Sequence, residues 1–255
     1  MLRTAFSMTG YELEASDGLL GTVKEFYFDD DHWTVRYLVA DTGTWLSGRH
    51  VLLSPHALVA VLDSEQRITL NLSKQQVESS PSLNSDEPVS RQFERDYHGF
   101  YGWPPYWGGP LLWGPYPYIM GNPALFLLTT NTPGPEGAST DVEEGDPHLR
   151  STAAVRGYQI QAIDGPIGHV DDFVIDDETW TIRYLVVKAH EWWPGKRILV
   201  APEWIGSVSW SESKVFISVS KEAIKTAPPM SEESLLRRDY EENLHKHYGR
   251  KGYWA

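Results

Sequence analysis

The chain writes nearly the same segment twice. Asp29–Val39 reads DDDHWTVRYLV and Asp176–Val186 reads DDETWTIRYLV, 147 residues apart. At that offset Gly10–Val39 aligns with Gly157–Val186 without a gap, and 16 of 30 positions are identical. They include Asp17-Gly18 with Asp164-Gly165, Gly21 with Gly168, Phe26 with Phe173, Trp33 with Trp180, and Arg36-Tyr37 with Arg183-Tyr184. The same offset carries Trp45-Leu-Ser-Gly48 onto Trp192-Trp-Pro-Gly195, Pro55 onto Pro202, Ser73-Lys74 onto Ser220-Lys221, and Tyr106-Trp107 onto Tyr253-Trp254. A fixed period of this kind marks a duplicated structural unit. A chain of 255 residues then divides into two units of about 100 residues, Met8–Trp107 and Val155–Trp254, and a spacer.

Within each unit the pattern is that of strands. In WTVRYLVA, Trp33, Val35, Tyr37 and Val39 alternate with Thr34, Arg36 and Leu38, which predicts a strand with Arg36 on the face opposite Trp33. GTVKEFYFD precedes it, with Asp29–His32 between as a hairpin turn. Asp-Gly at 17–18 and at 164–165 marks an earlier turn. Short strands are expected at His50–Leu53, Leu58–Leu62 and Arg67–Leu72. Five or six short strands with close turns predict a small closed barrel. Ser73-Lys-Gln-Gln76 has the form of a capping box opening a helix. Ser231–Tyr248 is expected as one helix with Leu236, Tyr240, Leu244 and Tyr248 on one face, matched by Phe93, Tyr97 and Tyr101 in the first copy.

The pattern G-x-x-[LI]-G-x-V-x-x-F-x-x-D-D-x-x-W-x-[VI]-R-Y-L-V, followed by W-x-x-G-[RK] and a strand ending in Pro, resembles the PRC-barrel domain. That family is named for the cytoplasmic domain of the photosynthetic reaction centre H subunit, and a related barrel closes the ribosome-maturation factor RimM. The resemblance covers about 70 residues in each half. It implies a mainly β chain with two small PRC-type barrels in tandem, each followed by short helical segments and joined by a Pro/Gly/aromatic spacer. The divisions expected are 1–81 for the first barrel, 82–107 for its helical and aromatic tail, 108–150 for the spacer, 151–228 for the second barrel, and 229–255 for the C-terminal helix and tail. Each half is expected to fold alone. The resemblance also suggests an accessory role in a photosynthetic or membrane complex, or in RNA processing.

A formal net charge of −13, with no Lys/Arg run longer than a pair, argues against direct binding of nucleic acid. The absence of cysteine excludes disulfides and thiol chemistry and fits a cytoplasmic location. No stretch has the uninterrupted apolar length of a transmembrane helix. No nucleophile elbow, P-loop or dinucleotide fingerprint appears, the three acids at Asp29–Asp31 lack calcium-loop spacing, and His245 and His247 lie two apart on a helix. No catalytic residue, metal ligand or cofactor is therefore nominated.

The candidate interaction residues are the mid-strand arginines Arg36 and Arg183, Trp45 and Trp192, and the aromatic run Trp103, Tyr106, Trp107, Trp113, Tyr116 and Tyr118. The arginines read as partner or anion contacts, or as ion pairs with a nearby carboxylate. The aromatic run reads as an extended segment docking on a partner, as stacking platforms, or as cover for the junction between the barrels. The sequence thus points to a non-enzymatic binding or scaffold protein with an unidentified protein partner. It forms an intramolecular pseudo-dimer of barrels, open to further homo-oligomerisation. The alternative is a small-molecule or ion-binding module with its site between the barrels.

Overall fold

The computed structural model describes residues 1–46, 50–82, 89–119, 148–189, 195–235 and 237–255. The chain begins with β1 (Leu2–Thr4), α1 (Ala5–Met8), β2 (Glu12–Ala15), β3 (Gly18–Asp29) and β4 (Thr34–Asp41). It continues with β5 (His50–Leu53), β6 (Leu58–Leu62), β7 (Arg67–Leu70), α2 (Lys74–Glu78) and α3 (Arg91–Tyr101). After the spacer come β8 (Leu149–Ser151), α4 (Thr152–Val155), β9 (Gln159–Ala162), β10 (Gly165–Asp176) and β11 (Thr181–Ala189). The remainder is β12 (Arg197–Val200), β13 (Ile205–Ser209), β14 (Lys214–Ile217), α5 (Lys221–Thr226), α6 (Glu232–Leu235) and α7 (Arg238–His247). The chain is mainly β, and the strands expected at 50–53 and 58–62 have those bounds.

Two compact units emerge, and their membership crosses the repeat. One comprises Met8–Arg150; the other comprises Met1–Ser7 together with Ser151–Ala255. In the Met8–Arg150 unit, antiparallel ladders join β2 to β3, β3 to β4, β4 to β5 and β6 to β7, and β2 runs parallel to β7. The second unit repeats this set with β9, β10, β11, β12, β13 and β14. The arms are exchanged: β1 pairs with β10 in the register Leu2↔Asp176 and Thr4↔Val174, while β8 pairs with β3 and Asp30 N–H donates to His148 O at 3.2 Å. A cut in the spacer would therefore leave each half with the other unit's arm.

The ladders of each unit form an open sheet and do not close into the expected barrel. In the first unit, β5 leads at once into a 3-10 turn, Pro55–Ala57, capped by Ser54, and β6 leaves that corner to pair with β7. Among the described residues no ladder joins β5 to β6. Pro55 has no N–H to offer such a ladder.

The shared residues have local causes. Gly21 and Gly168 sit where a Cβ would lie 2.1 Å from Asp41 O and 2.0 Å from Lys188 O, so only glycine admits the neighbouring strand. Asp17 Oδ1 accepts from Lys74 N–H at 2.7 Å, and Asp164 Oδ1 from Lys221 N–H at 2.8 Å, so each Asp-Gly turn also caps the helix 57 residues on. The capping box at Ser73 and Gln76 is complete.

Two expectations change. Trp33 and Trp180 are not strand residues: both stand in the hairpin turn at positive φ, 50° and 59°. In the first hairpin Asp29 Oδ1 accepts from His32 N–H at 2.6 Å, and Trp33 stacks on Phe28 at 5.4 Å between ring centroids. β4 is buried on both faces from Thr34 to Ala40, Arg36 included. The single helix expected at 231–248 is two pieces, α6 and α7, with Arg237 in extended backbone between them. Leu236 lies outside the described residues.

Candidate functional site

Strand β4 delivers two consecutive side chains, Arg36 and Tyr37, to opposite faces. Each becomes the centre of a polar cluster. Arg36 is 1% exposed and lies 2.5 Å from Asp29 Oδ2, on the strand that pairs with its own. Its Nη1 donates to Leu112 O at 2.8 Å, and its guanidinium stands 4.0 Å from the Tyr106 ring and 4.7 Å from the Trp113 ring. A charge this deeply buried is stable only when paired, and Asp29 supplies the pairing: Nε and Nη1 are hydrogen-bonded, while Nη2 stands in ion-pair range of Asp29 Oδ2. The segment bringing Trp113 there is a tight double turn, in which Leu111 N–H donates to Gly114 O and Trp113 N–H to Tyr116 O. Gly114 makes it possible at φ +72°.

Tyr37 points at α3. Its hydroxyl lies 3.0 Å from Glu94 Oε1 and 3.1 Å from His98 Nε2, one helical turn apart on that helix. Glu94, fully buried, also accepts from Tyr106 OH at 2.6 Å, Arg91 Nη1 at 3.0 Å and His148 Nε2 at 2.8 Å. His98 Nδ1 lies 3.1 Å from Pro104 O. One carboxylate thus ties together the sheet, the helix, the aromatic tail and the exchanged arm. Burial pushes the His98 imidazole down to about 4, partly opposed by Glu94. Burial, reinforced by Glu94, pushes the Tyr37 and Tyr106 hydroxyls well above their ordinary value.

The second unit rebuilds both clusters from the residues 147 positions on. Arg183 donates from Nε and Nη2 to Asp176 Oδ2 at 3.2 and 2.8 Å, and Nη2 also reaches Thr179 Oγ1 at 3.2 Å. Tyr253 covers its guanidinium at 4.0 Å, the distance at which Tyr106 covers Arg36. The Tyr184 hydroxyl lies 2.9 Å from Glu241 Oε1 and 3.0 Å from His245 Nε2; Tyr253 OH donates to Glu241 at 3.0 Å, and Arg238 Nη1 lies 2.9 Å from Glu241 Oε2. Burial lowers His245 and raises Tyr184, as in the first unit. Glu94, Glu241, Arg91 and Arg238 were not singled out by the sequence reading. The signal was present as R-x-x-E-x-x-x-H at 91–98 and 238–245, in register with the repeat.

Both mid-strand arginines thus form ion pairs with the hairpin carboxylate of their own unit. Trp103, Tyr106 and Trp113 are buried at 6%, 6% and 2% exposure inside the Met8–Arg150 unit, and Trp107 stands 4.6 Å from the Arg91 guanidinium. Trp103 stacks on His56 and on Tyr101. Tyr116 is half-buried and Tyr118 exposed. Trp45 is half-buried beneath Lys74, whose Nζ is 4.6 Å from the ring centroid. Trp192 lies outside the described residues. Among the described residues no group of three or more His, Asp and Glu side chains is placed to hold a metal ion, and no helix is long and apolar enough to cross a membrane.

No family model and no curated protein matches the chain.

Proposed function

We propose that the chain is a non-enzymatic protein-interaction platform made of two PRC-type units. The observation that carries this reading is how the proton-transfer groups common to both copies are used. Glu94, His98, Tyr37 and Tyr106 are buried and bonded to one another, and Glu241, His245, Tyr184 and Tyr253 repeat the arrangement. General acid–base chemistry needs a group titrating near neutral pH within reach of substrate. Burial moves these imidazoles down and these phenols up, away from that range. The clusters act instead as clamps that fix helix and tail to sheet. Each unit keeps large apolar side chains outward, among them Phe100 and Tyr118 in one and Phe6 and Trp254 in the other. Such groups suit contact with protein surfaces. A role beside a photosynthetic or membrane complex, or in RNA processing, rests on the family resemblance alone.

The test is affinity capture from the source lysate with the intact protein and with Tyr118→Ala and Trp254→Ala variants. A deletion through the aromatic run is unsuitable, because it would remove Trp103, Tyr106 and Trp113 from the core. A specific protein retained by the intact chain and lost by either variant supports the platform. If no protein is captured and a metal or metabolite gives a large thermal shift, a small-ligand module replaces it.

A further inference from the structure

The two arginine sites are the same up to one layer. In both, the arginine pairs with the hairpin aspartate and lies under a tyrosine ring at 4.0 Å. In the first unit a second layer follows, formed by the Leu112 carbonyl on Nη1 and the Trp113 ring at 4.7 Å. In the second unit the Arg183 side chain is 19% exposed, against 1% for Arg36, and no acceptor on its Nη1 and no second ring is recorded among the described residues. The Tyr253 ring over it is half-buried and lies also 5.2 Å from the Arg238 guanidinium, which stands 4.4 Å from the next ring, Trp254, 37% exposed.

We propose that the Arg183–Tyr253 face of the second unit is a docking site for a peptide turn that presents a backbone carbonyl followed by a tryptophan or comparable ring. The first unit supplies the template: the segment around Leu112-Trp113 is what this geometry accepts, seen bound in cis. An arginine offers a planar fork of donors together with a face that stacks on aromatic rings, so a carbonyl and an indole together complete it. The guanidinium is already oriented by Asp176 and Tyr253, which reduces the ordering cost of binding. This inference rests on reading the chain as an interaction platform and names where one partner segment sits.

The probe is a fluorescein-labelled peptide of residues 108–118, GGPLLWGPYPY, titrated into the full chain and read by anisotropy. Saturable binding is expected, weakened about tenfold or more by Arg183→Met and by Trp→Ala in the peptide, the scale of one charge-assisted hydrogen bond or stacked ring. Because Arg183→Met also unpairs Asp176, a second measurement uses the unaltered protein: a peptide carrying benzophenone at the Trp position is photo-crosslinked and mapped by mass spectrometry. Crosslinks to residues beside Arg183 and Tyr253 are expected. Absence of saturable binding, or crosslinks only elsewhere, overturns the site. Partner capture that persists in Arg183→Met would leave the platform reading standing while this site fails.

Discussion

Replacing Glu94 by alanine should unfold the first unit more readily than any exposed substitution in the chain. The carboxylate is fully buried and accepts from Tyr37, Tyr106, Arg91 and His148. Arg91 and His148 are 23% and 20% exposed and can turn to water once released. The Tyr37 and Tyr106 hydroxyls cannot, since those residues are buried. Tyr37 keeps His98 Nε2 at 3.1 Å, but each phenol loses a hydrogen bond to a buried carboxylate, worth about 1.5–3 kcal/mol, so the two together cost about 4 kcal/mol. Glu94→Gln keeps the shape but turns an amide N–H₂ toward one pair of donors, at about half that cost. Glu241→Ala should cost less, because Tyr253 is only half-buried. The assay is urea unfolding followed by near-ultraviolet circular dichroism and tryptophan fluorescence, with hydrogen exchange assigning the loss to Met8–Arg150. A loss below about 1 kcal/mol for Glu94→Ala would refute the clamp, because it would mean that the two phenols find other partners at no cost.

Acid should act through the histidines. His98 is held neutral with a value of about 4, against about 6.5 in an unfolded chain, so its contribution is complete above pH 6.5 and is lost as pH falls toward 4. That difference corresponds to at most about 3 kcal/mol, so the stability gap between the protein and its His98→Gln variant should narrow between pH 7.5 and 4.5. His245 acts in the same direction. Gly21→Ala, whose Cβ would meet Asp41 O at 2.1 Å, should cost about 1–3 kcal/mol or more and loosen the β3–β4 ladder in hydrogen exchange. Trp113→Ala should cost about 3–5 kcal/mol in thermal or urea unfolding, because it removes a buried indole and opens Arg36 to the solvent on one side.

Much of each unit was legible because period-2 patterning and turn residues are local. The strands at 50–53 and 58–62, the Asp-Gly turns and the Ser73 capping box depend on neighbours within a few residues. Trp33 was misplaced because its side chain fits a strand, while its backbone is set by the Asp29 carboxylate capping the turn behind it. The open sheet was hidden because closure depends on how the Pro55 corner directs β6, a long-range matter. The Glu94 hub was written in register with the repeat, yet its role depends on Tyr37, 57 residues earlier, and His148, 54 later. Arm exchange left no sequence trace at all. Leu2–Thr4 and Leu149–Ser151 occupy equivalent repeat positions, and either could pair with either long strand.

The central claim is that each unit is completed by the other repeat's arm around one duplicated polar clamp. The chain has no cysteine, so paired cysteines can be introduced cleanly. Thr4→Cys with Val174→Cys places thiols on directly opposed residues of β1 and β10. Thr4→Cys with Tyr27→Cys tests the unexchanged pairing at the equivalent position 147 residues earlier. After mild oxidation at low protein concentration, the account predicts an intramolecular disulfide in the 4/174 variant and none in the 4/27 variant. The reverse result would contradict it.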